Sequence, residues 1–277
     1  MRYLMAHSQR RFSGLALLLI PLLCSLNATA QTPTEPAQNT YIEGAVLWQQ
    51  TSGERRALSY QAFNLARMIL DRDLRMNRGN RKPRAVIVDL DETILDNSRY
   101  EGMLLKNGVN YNQKDWTDWC NRAEASAVPG AVEFLRYASS LGVTVFYITN
   151  RNDSQKQGTA TNLKKLGFPK VSDQTLLVQT DLTNSTKEPR RQKVGSGFRI
   201  VLLMGDDLND FSDVFENSKT IESRAAAADR YKSEFGQRFI MLPNAMYGSW
   251  ESAIYGYNFK LSEAEKSEKR KSVLKSY

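Results

Sequence analysis

Ala85-Val86-Ile87-Val88-Asp89-Leu90-Asp91-Glu92-Thr93 is the stretch whose reading decides the fold. An apolar, mostly β-branched run stops abruptly on acid. That is the pattern of a buried parallel strand whose carboxyl end opens into a site, where open α/β sheets keep their ligands. Asp89 and Asp91 are two residues apart and Thr93 lies two further on, an arrangement able to bind a divalent cation and to attack a phosphorus atom. An acidic surface turn after a strand uses the same residue types, so the motif is weighed against the rest of the chain.

After Pro83 the chain alternates strand, helix, strand. Further strands are expected at Val143 to Ile148, Leu176 to Val178, Ile200 to Met204 and Phe239 to Leu242, each a compact apolar run bounded by polar residues or glycine. Pro129 opens a helix that Gly142 closes, and Asp153-Ser154 cap one that Gly167 and Pro169 stop. The alternation predicts an α/β fold with a central parallel sheet and helices on both faces. Before it, the spacing of Val46, Leu47, Leu58, Phe63, Leu65, Met68, Ile69 and Leu70 suits two amphipathic helices broken near Ser52-Gly53. The insert Ile94 to Val128, rich in Tyr, Trp and Asn, carries no strand signal and is expected to form a small helical accessory region. The Lys-rich stretch Ser262 to Tyr277 reads as a solvated helix or tail.

The first thirty residues differ in kind. Arg2, Arg10 and Arg11 precede an apolar segment from Leu15 to Leu26, followed by Ala28-Thr29-Ala30, so residues 1–30 are expected to be a signal peptide cleaved before Gln31. The segment is short for a stable membrane span. Cys24 follows a bulky Leu23, where a lipid-attachment site wants a small residue, so soluble export, periplasmic or secreted, is expected rather than a lipid anchor. Residues 31–40, with Pro33 and Pro36, read as a flexible leader. Residues 41–277 then form the functional domain, with a core about 83–245 and helical additions about 41–78 and 94–128.

Composition narrows the chemistry. The 277 residues carry a formal charge of +8, of which the signal segment takes three arginines and no acid, leaving +5. Such a body favours anionic substrates, but it has no dense basic stripe outside the tail, and no nucleic acid is expected as a partner. The mature chain keeps one cysteine, Cys120, read as a small buried hydrophobe. It keeps no histidine, because His7 is the only one. Histidine phosphatases, Ser-His-Asp hydrolases and ordinary zinc hydrolases are excluded, since each needs an imidazole.

Polar groups of the right kind recur at the expected strand ends: Asp89 and Asp91, then Thr149-Asn150-Arg151, Lys187, and Gly205-Asp206-Asp207-Leu208-Asn209-Asp210. Parallel strand ends point to one edge, so these residues converge. The ordered set resembles the haloacid dehalogenase superfamily of phosphotransferases. The segments Ala45 to Gln50, Tyr60 to Asn64, Asp89 to Tyr100, Gly205 to Phe211 and Leu242 to Glu251 resemble the class C non-specific acid phosphatases in particular.

The resemblance implies a haloacid dehalogenase-like three-layer sandwich and a Mg²⁺-dependent acid phosphatase. Asp89 is then the nucleophile, forming an aspartyl-phosphate, and Asp91 the group that protonates the leaving alkoxide and later takes a proton from water. Dehalogenase relatives lack the second Asp, so Asp91 favours phosphate chemistry. The implied metal ligands are the side chains of Asp89 and Asp206 and the backbone carbonyl of Asp91, with Asp210 holding a metal-bound water or Lys187. Thr149, Asn150 and Lys187 are implied for the phosphoryl oxygens. Lys187 is placed ahead of its rival Lys193 because it precedes the helix-start signal Glu188-Pro189. Trp116 and Tyr247, with Tyr111, Trp119 and Trp250 beside them, either stack a leaving-group ring or pack into the helical cover.

The expected substrates are small phosphomonoesters, 5′-nucleotides included, and a homo-oligomer is left open. Two alternatives use the same scaffold: phosphate transfer to a hydroxyl acceptor, and a non-catalytic surface or storage protein. The second predicts loss of the nucleophile, and Asp89 is present.

Overall fold

The computed structural model describes residues 40–277 other than 78, 80 and 81. The expected signal peptide, with His7 and Cys24, lies outside the described residues, as does the leader apart from Thr40. A 3-10 turn at Thr40–Ile42 leads into α1 (Glu43–Thr51) and α2 (Gly53–Met76). Ser52 separates the two helices and caps the second, its hydroxyl accepting from the Arg55 amide at 3.0 Å.

Strand β1 (Arg84–Val88) follows, then the insert: β2 (Leu95–Asp96), α3 (Ser98–Asn107), α4 (Gln113–Arg122) and β3 (Ser126–Ala127). The remainder alternates as expected. Helix α5 (Ala131–Ser140) leads to β4 (Thr144–Asn152), α6 (Asp153–Leu166) to β5 (Leu176–Gln179), and α7 (Glu188–Gly197) to β6 (Arg199–Gly205). The short α8 (Asp213–Glu216) and α9 (Ile221–Arg230) precede β7 (Phe239–Met241), and α10 (Ser249–Ile254) and α11 (Glu263–Ser272) complete the order.

The five main strands are parallel in the order β5-β4-β1-β6-β7, which puts β1 at the centre. Its alternation divides the core between two faces. Val86 and Val88 join α2 and α5 residues such as Phe63, Leu70 and Leu135, whereas Ala85 and Ile87 join Phe146, Phe211, Phe215 and Phe239. A strand buried on both faces needs the continuous apolar run that the sequence shows. At the opposite edge from the site, Asp73 near the end of α2 ties down Arg84 at 2.7 Å and Arg199 at 2.5 Å, fixing that helix against the first residues of β1 and β6.

Three local expectations need correction. The insert does contain strand: β2 and β3 form a two-stranded antiparallel pair closing its base, too short to carry any periodicity. Thr149-Asn150-Arg151 do not follow β4 but lie within it, because the strand runs on past a register irregularity to pair Asn152 with Gln179. Helix α6 is capped by Asn152 rather than by Asp153 or Ser154, through a reciprocal box with Gln155. Among the described residues no helix is long and apolar enough to cross a membrane.

Candidate active site

The chain leaves the sheet at Asp89, whose amide still donates to the Met204 carbonyl of β6 at 2.9 Å. It turns back at once: the amides of Ile94 and Leu95 both donate to the Leu90 carbonyl, and Glu92 adopts a left-handed backbone (φ 58°). This tight loop brings Thr93 over Asp89. Its hydroxyl lies 2.9 Å from Asp206 Oδ1 and 3.3 Å from Asp89 Oδ2, so one side chain spans the ends of β1 and β6.

Asp206 follows directly after β6, and Asn244 donates to its other oxygen at 2.8 Å. Asp210 closes a 3-10 turn (Leu208–Asp210) by accepting from the Asp207 amide at 3.0 Å. Gly205 makes that return possible, because a Cβ there would sit 2.2 Å from Asp210 Oδ2.

Lys187 completes the cluster. It is buried just ahead of α7, and its ammonium bonds to Asp89 and, at 2.6 Å, to Asp210 Oδ1. Of the two roles implied for Asp210, the contact with Lys187 is present, and its place beside Asp89 and Asp206 leaves the other open to it as well. Lys193, the rival, lies within α7 and lines a separate cavity with Phe146 and Phe198.

Three carboxylates and one ammonium leave an excess of negative charge in a water-poor place. Burial pushes Asp89 up to about 7 against the pull of Lys187, with Asp210 and Asp91 adding to the rise. Burial, Asp89 and Asp210 hold Asp206 well above the carboxylate range, and burial raises Asp210. For Lys187, burial works against the charged form, but Asp210 and Asp89 outweigh it and raise its pKa. Oxygens of Asp89, Asp206 and Asp210, one from each, lie within 4.8 Å of one another. All-oxygen donors packed this closely, with repulsion unrelieved, fit a hard divalent cation.

The Asp91 carboxylate is outside this cluster. Arg151 holds it through Nη2 at 2.7 Å and Nε at 3.0 Å, and Asn97 donates to it at 2.9 Å. Arg151 is 2% exposed and also bonds Thr159 and Asn97, while Trp119 donates to Asn97 at 2.9 Å. Sequence reading missed Arg151 and Asn97 as functional groups. The signal available was the period of two along β4, which puts Thr149 and Arg151 on one face and Asn150 on the other.

Thr149 is fully buried, its hydroxyl accepting from the Arg151 amide at 3.1 Å. Asn150 is exposed at the cavity wall, its side-chain Oδ1 accepting from Arg190 Nη2 at 2.7 Å. Arg190 also donates to the Thr149 carbonyl, so this second unforeseen arginine braces the end of β4 from α7.

The aromatic residues divide. Tyr247 lines the cavity and donates to the buried Glu92 at 2.8 Å. Trp116 lines it too, but its ring stands 5.4 Å from the Arg151 guanidinium and edge-on to Tyr100 at 5.1 Å. Tyr111 is exposed at the rim. Trp119 is core, and Trp250 lies outside the cavity, bonded to the Tyr247 carbonyl, so neither belongs to a stacking surface. Gly248, with φ 147°, leaves room for the Asp207 carboxylate, which accepts from the next amide, of Ser249, at 2.6 Å. Cys120 is buried, its thiol pushed up to about 12 chiefly by burial, in keeping with a small hydrophobe.

Known proteins share the sequence pattern and the fold. The family model described as HAD superfamily, subfamily IIIB (Acid phosphatase) matches residues 20–250. The structure of the class C acid phosphatase from Bacillus anthracis is 42% identical with a TM-score of 0.82, covering 87% of this chain and 99% of that one. The same enzyme with tungstate bound is also 42% identical, at a TM-score of 0.81 and coverages of 87% and 98%. More distantly, the stem 31 kDa glycoprotein of Glycine max is 25% identical over 180 residues, 64% of this chain and 65% of the relative. The chain thus spans just under two thirds of that curated relative's length. The family match over most of the chain and the solved class C structures agree with the acid cluster at the strand ends: this chain belongs to the HAD superfamily, subfamily IIIB, the acid phosphatases.

Proposed function

We propose that the chain is an exported, Mg²⁺-dependent acid phosphatase that hydrolyses phosphomonoesters, 5′-nucleotides among them, through an aspartyl-phosphate on Asp89. The observation that carries this reading is the convergence of Asp89, Asp206, Asp210 and Lys187 at the ends of β1 and β6. Family membership supplies the substrate class. Export is supported by the charged, apolar and small-residue pattern of residues 1–30.

One carboxylate oxygen of Asp89 attacks phosphorus in line as the bond to the leaving oxygen breaks. Asp91 gives its proton to that oxygen, releasing an alcohol, and later removes a proton from the water that cleaves the acyl phosphate. Inorganic phosphate leaves and Asp89 is regenerated. An acid optimum follows where Asp91 must enter the limiting step protonated. Lys187 is placed to release Asp89 and take a phosphoryl oxygen, with Thr149 and Asn150 offering further donors from β4. Asp89, Asp206 and the Asp91 carbonyl would hold Mg²⁺, assisted by Asp210, and the ion would supply the positive charge that lets an anionic ester approach three acids. Tyr247 and Trp116, both lining the cavity, offer the leaving group aromatic surface.

Purified protein assayed with a phosphomonoester, with and without chelator, tests this. Phosphate release that stops on chelation and returns with Mg²⁺ is expected. Normal turnover by Asp89→Asn would rule out the covalent route.

A further inference from the structure

The cavity that contains the acid cluster has a volume of about 1170 Å³, far more than a phosphoryl group fills. Its wall continues over Tyr247, Leu104, Ile42 and Met246 to a second acidic region, Glu101 on α3 and Glu251 on α10. Tyr247 links the two regions, since the charges of Asp91, Asp206 and Glu101 all bear on its hydroxyl.

The two glutamates are not equivalent. Glu251 accepts from the Tyr41 hydroxyl and from Tyr255 at 2.5 Å, and Arg270 stands 3.8 Å away, so its charge is answered. Lys266 nearby is paired with Glu263 at 2.7 Å. Glu101 is only 8% exposed, yet among the described residues its carboxylate has no hydrogen bond and no ion pair, and it borders the cavity. A carboxyl on so buried a side chain, open only to the cavity and without a protein partner, costs stability that a neutral residue of similar size would not. Nothing in the fold uses it, so its use lies in what enters the cavity.

We infer that Glu101 receives a positively charged nitrogen on the departing alcohol, making the enzyme selective for phosphomonoesters with a cationic leaving group. This rests on the phosphomonoester reading above. An ammonium there exchanges hydration for a carboxylate in a partly apolar, aromatic-lined wall, where ion pairing is stronger than in water. A neutral hydroxyl at the same place forms the hydrogen bond without the charge.

The test compares ω-aminoalkyl phosphates with ω-hydroxyalkyl phosphates of increasing chain length, using the full chain with Mg²⁺ at about pH 8, where Glu101 is ionised. Where the chain is long enough to reach Glu101, the ratio of kcat/KM, amine over hydroxyl, is expected to be about tenfold and carried mainly by KM. Glu101→Gln is expected to bring that ratio close to one, and Glu101→Leu, which suits an apolar wall, repeats the measurement if the first variant folds poorly. A ratio near one at every length in the wild-type chain, or a preference that survives both variants, overturns the inference while leaving the phosphatase reading intact. Hydrolysis of neither series overturns both.

Discussion

The ammonium of Lys187 is bonded to the carboxylate of Asp89, 98 positions earlier in the chain. The proposed nucleophile is thus held by a cation that could also serve a phosphoryl group, and Asp210 keeps that cation in place at 2.6 Å. Replacing Lys187 by Met should lower kcat/KM by about 10²–10³-fold, the usual cost of a donor lost from a developing anion. Steady-state kinetics on one phosphomonoester measures it. A loss of less than about threefold would mean Lys187 only balances charge.

Arg151 fixes the side chain expected to handle protons. With Arg151→Gln, Asp91 keeps only its bond to Asn97 and loses its orientation. A kcat reduced by about 10–100-fold and a displaced alkaline limb of the pH–rate profile, where the required proton is lost, are expected. A profile unchanged in shape, with only protein stability reduced, would make Arg151 purely structural.

Gly205 is a point of close approach. Any Cβ must displace Asp210, so Gly205→Ala should break the Lys187–Asp210 pair and destabilise the fold by about 1–3 kcal/mol. Denaturant midpoints and activity, taken together, report both effects.

Glu101 sets a pH dependence of stability. Burial first, then Glu251, raises it from an ordinary 4.5 to about 7. Between those pH values the folded chain holds a proton that the unfolded chain has lost. Stability is therefore full below about 4.5 and falls as pH rises through about 7, by on the order of 2–3 kcal/mol. Glu101→Gln should flatten that slope and be the more stable protein at about pH 8. Urea midpoints of both proteins at about pH 5 and about pH 8 decide it.

The acid cluster should respond to metal in stability as well as in rate. Mg²⁺ should raise the Tm of the wild-type chain by mass action. Asp206→Asn removes one of three crowded carboxylates, so it should abolish that rise while making the metal-free protein no less stable. Calorimetric scans with and without Mg²⁺ check both halves.

The central strand and its acids were legible because each apolar run ended on a polar group at the sheet edge, a relation that sequence order preserves. Asp89, Asp206, Asp210 and Lys187 met as the topology required. The sequence places Arg151 at a strand end without a role and assigns none to Asn97, since what they do depends on side-chain direction across a buried network rather than on spacing. The short β2–β3 pair escaped notice for want of enough residues to show alternation. Among the aromatics, composition gave no means of separating Tyr247 at the cavity from Trp119 in the core; only packing does.

The most direct test is chemical capture of the intermediate. Turnover of a phosphomonoester, quenched and reduced with borohydride, should convert Asp89 alone to homoserine, detectable by peptide mass spectrometry and absent from Asp89→Asn. Unmodified Asp89 under conditions of rapid turnover, or reduction at another carboxylate, would contradict the covalent mechanism.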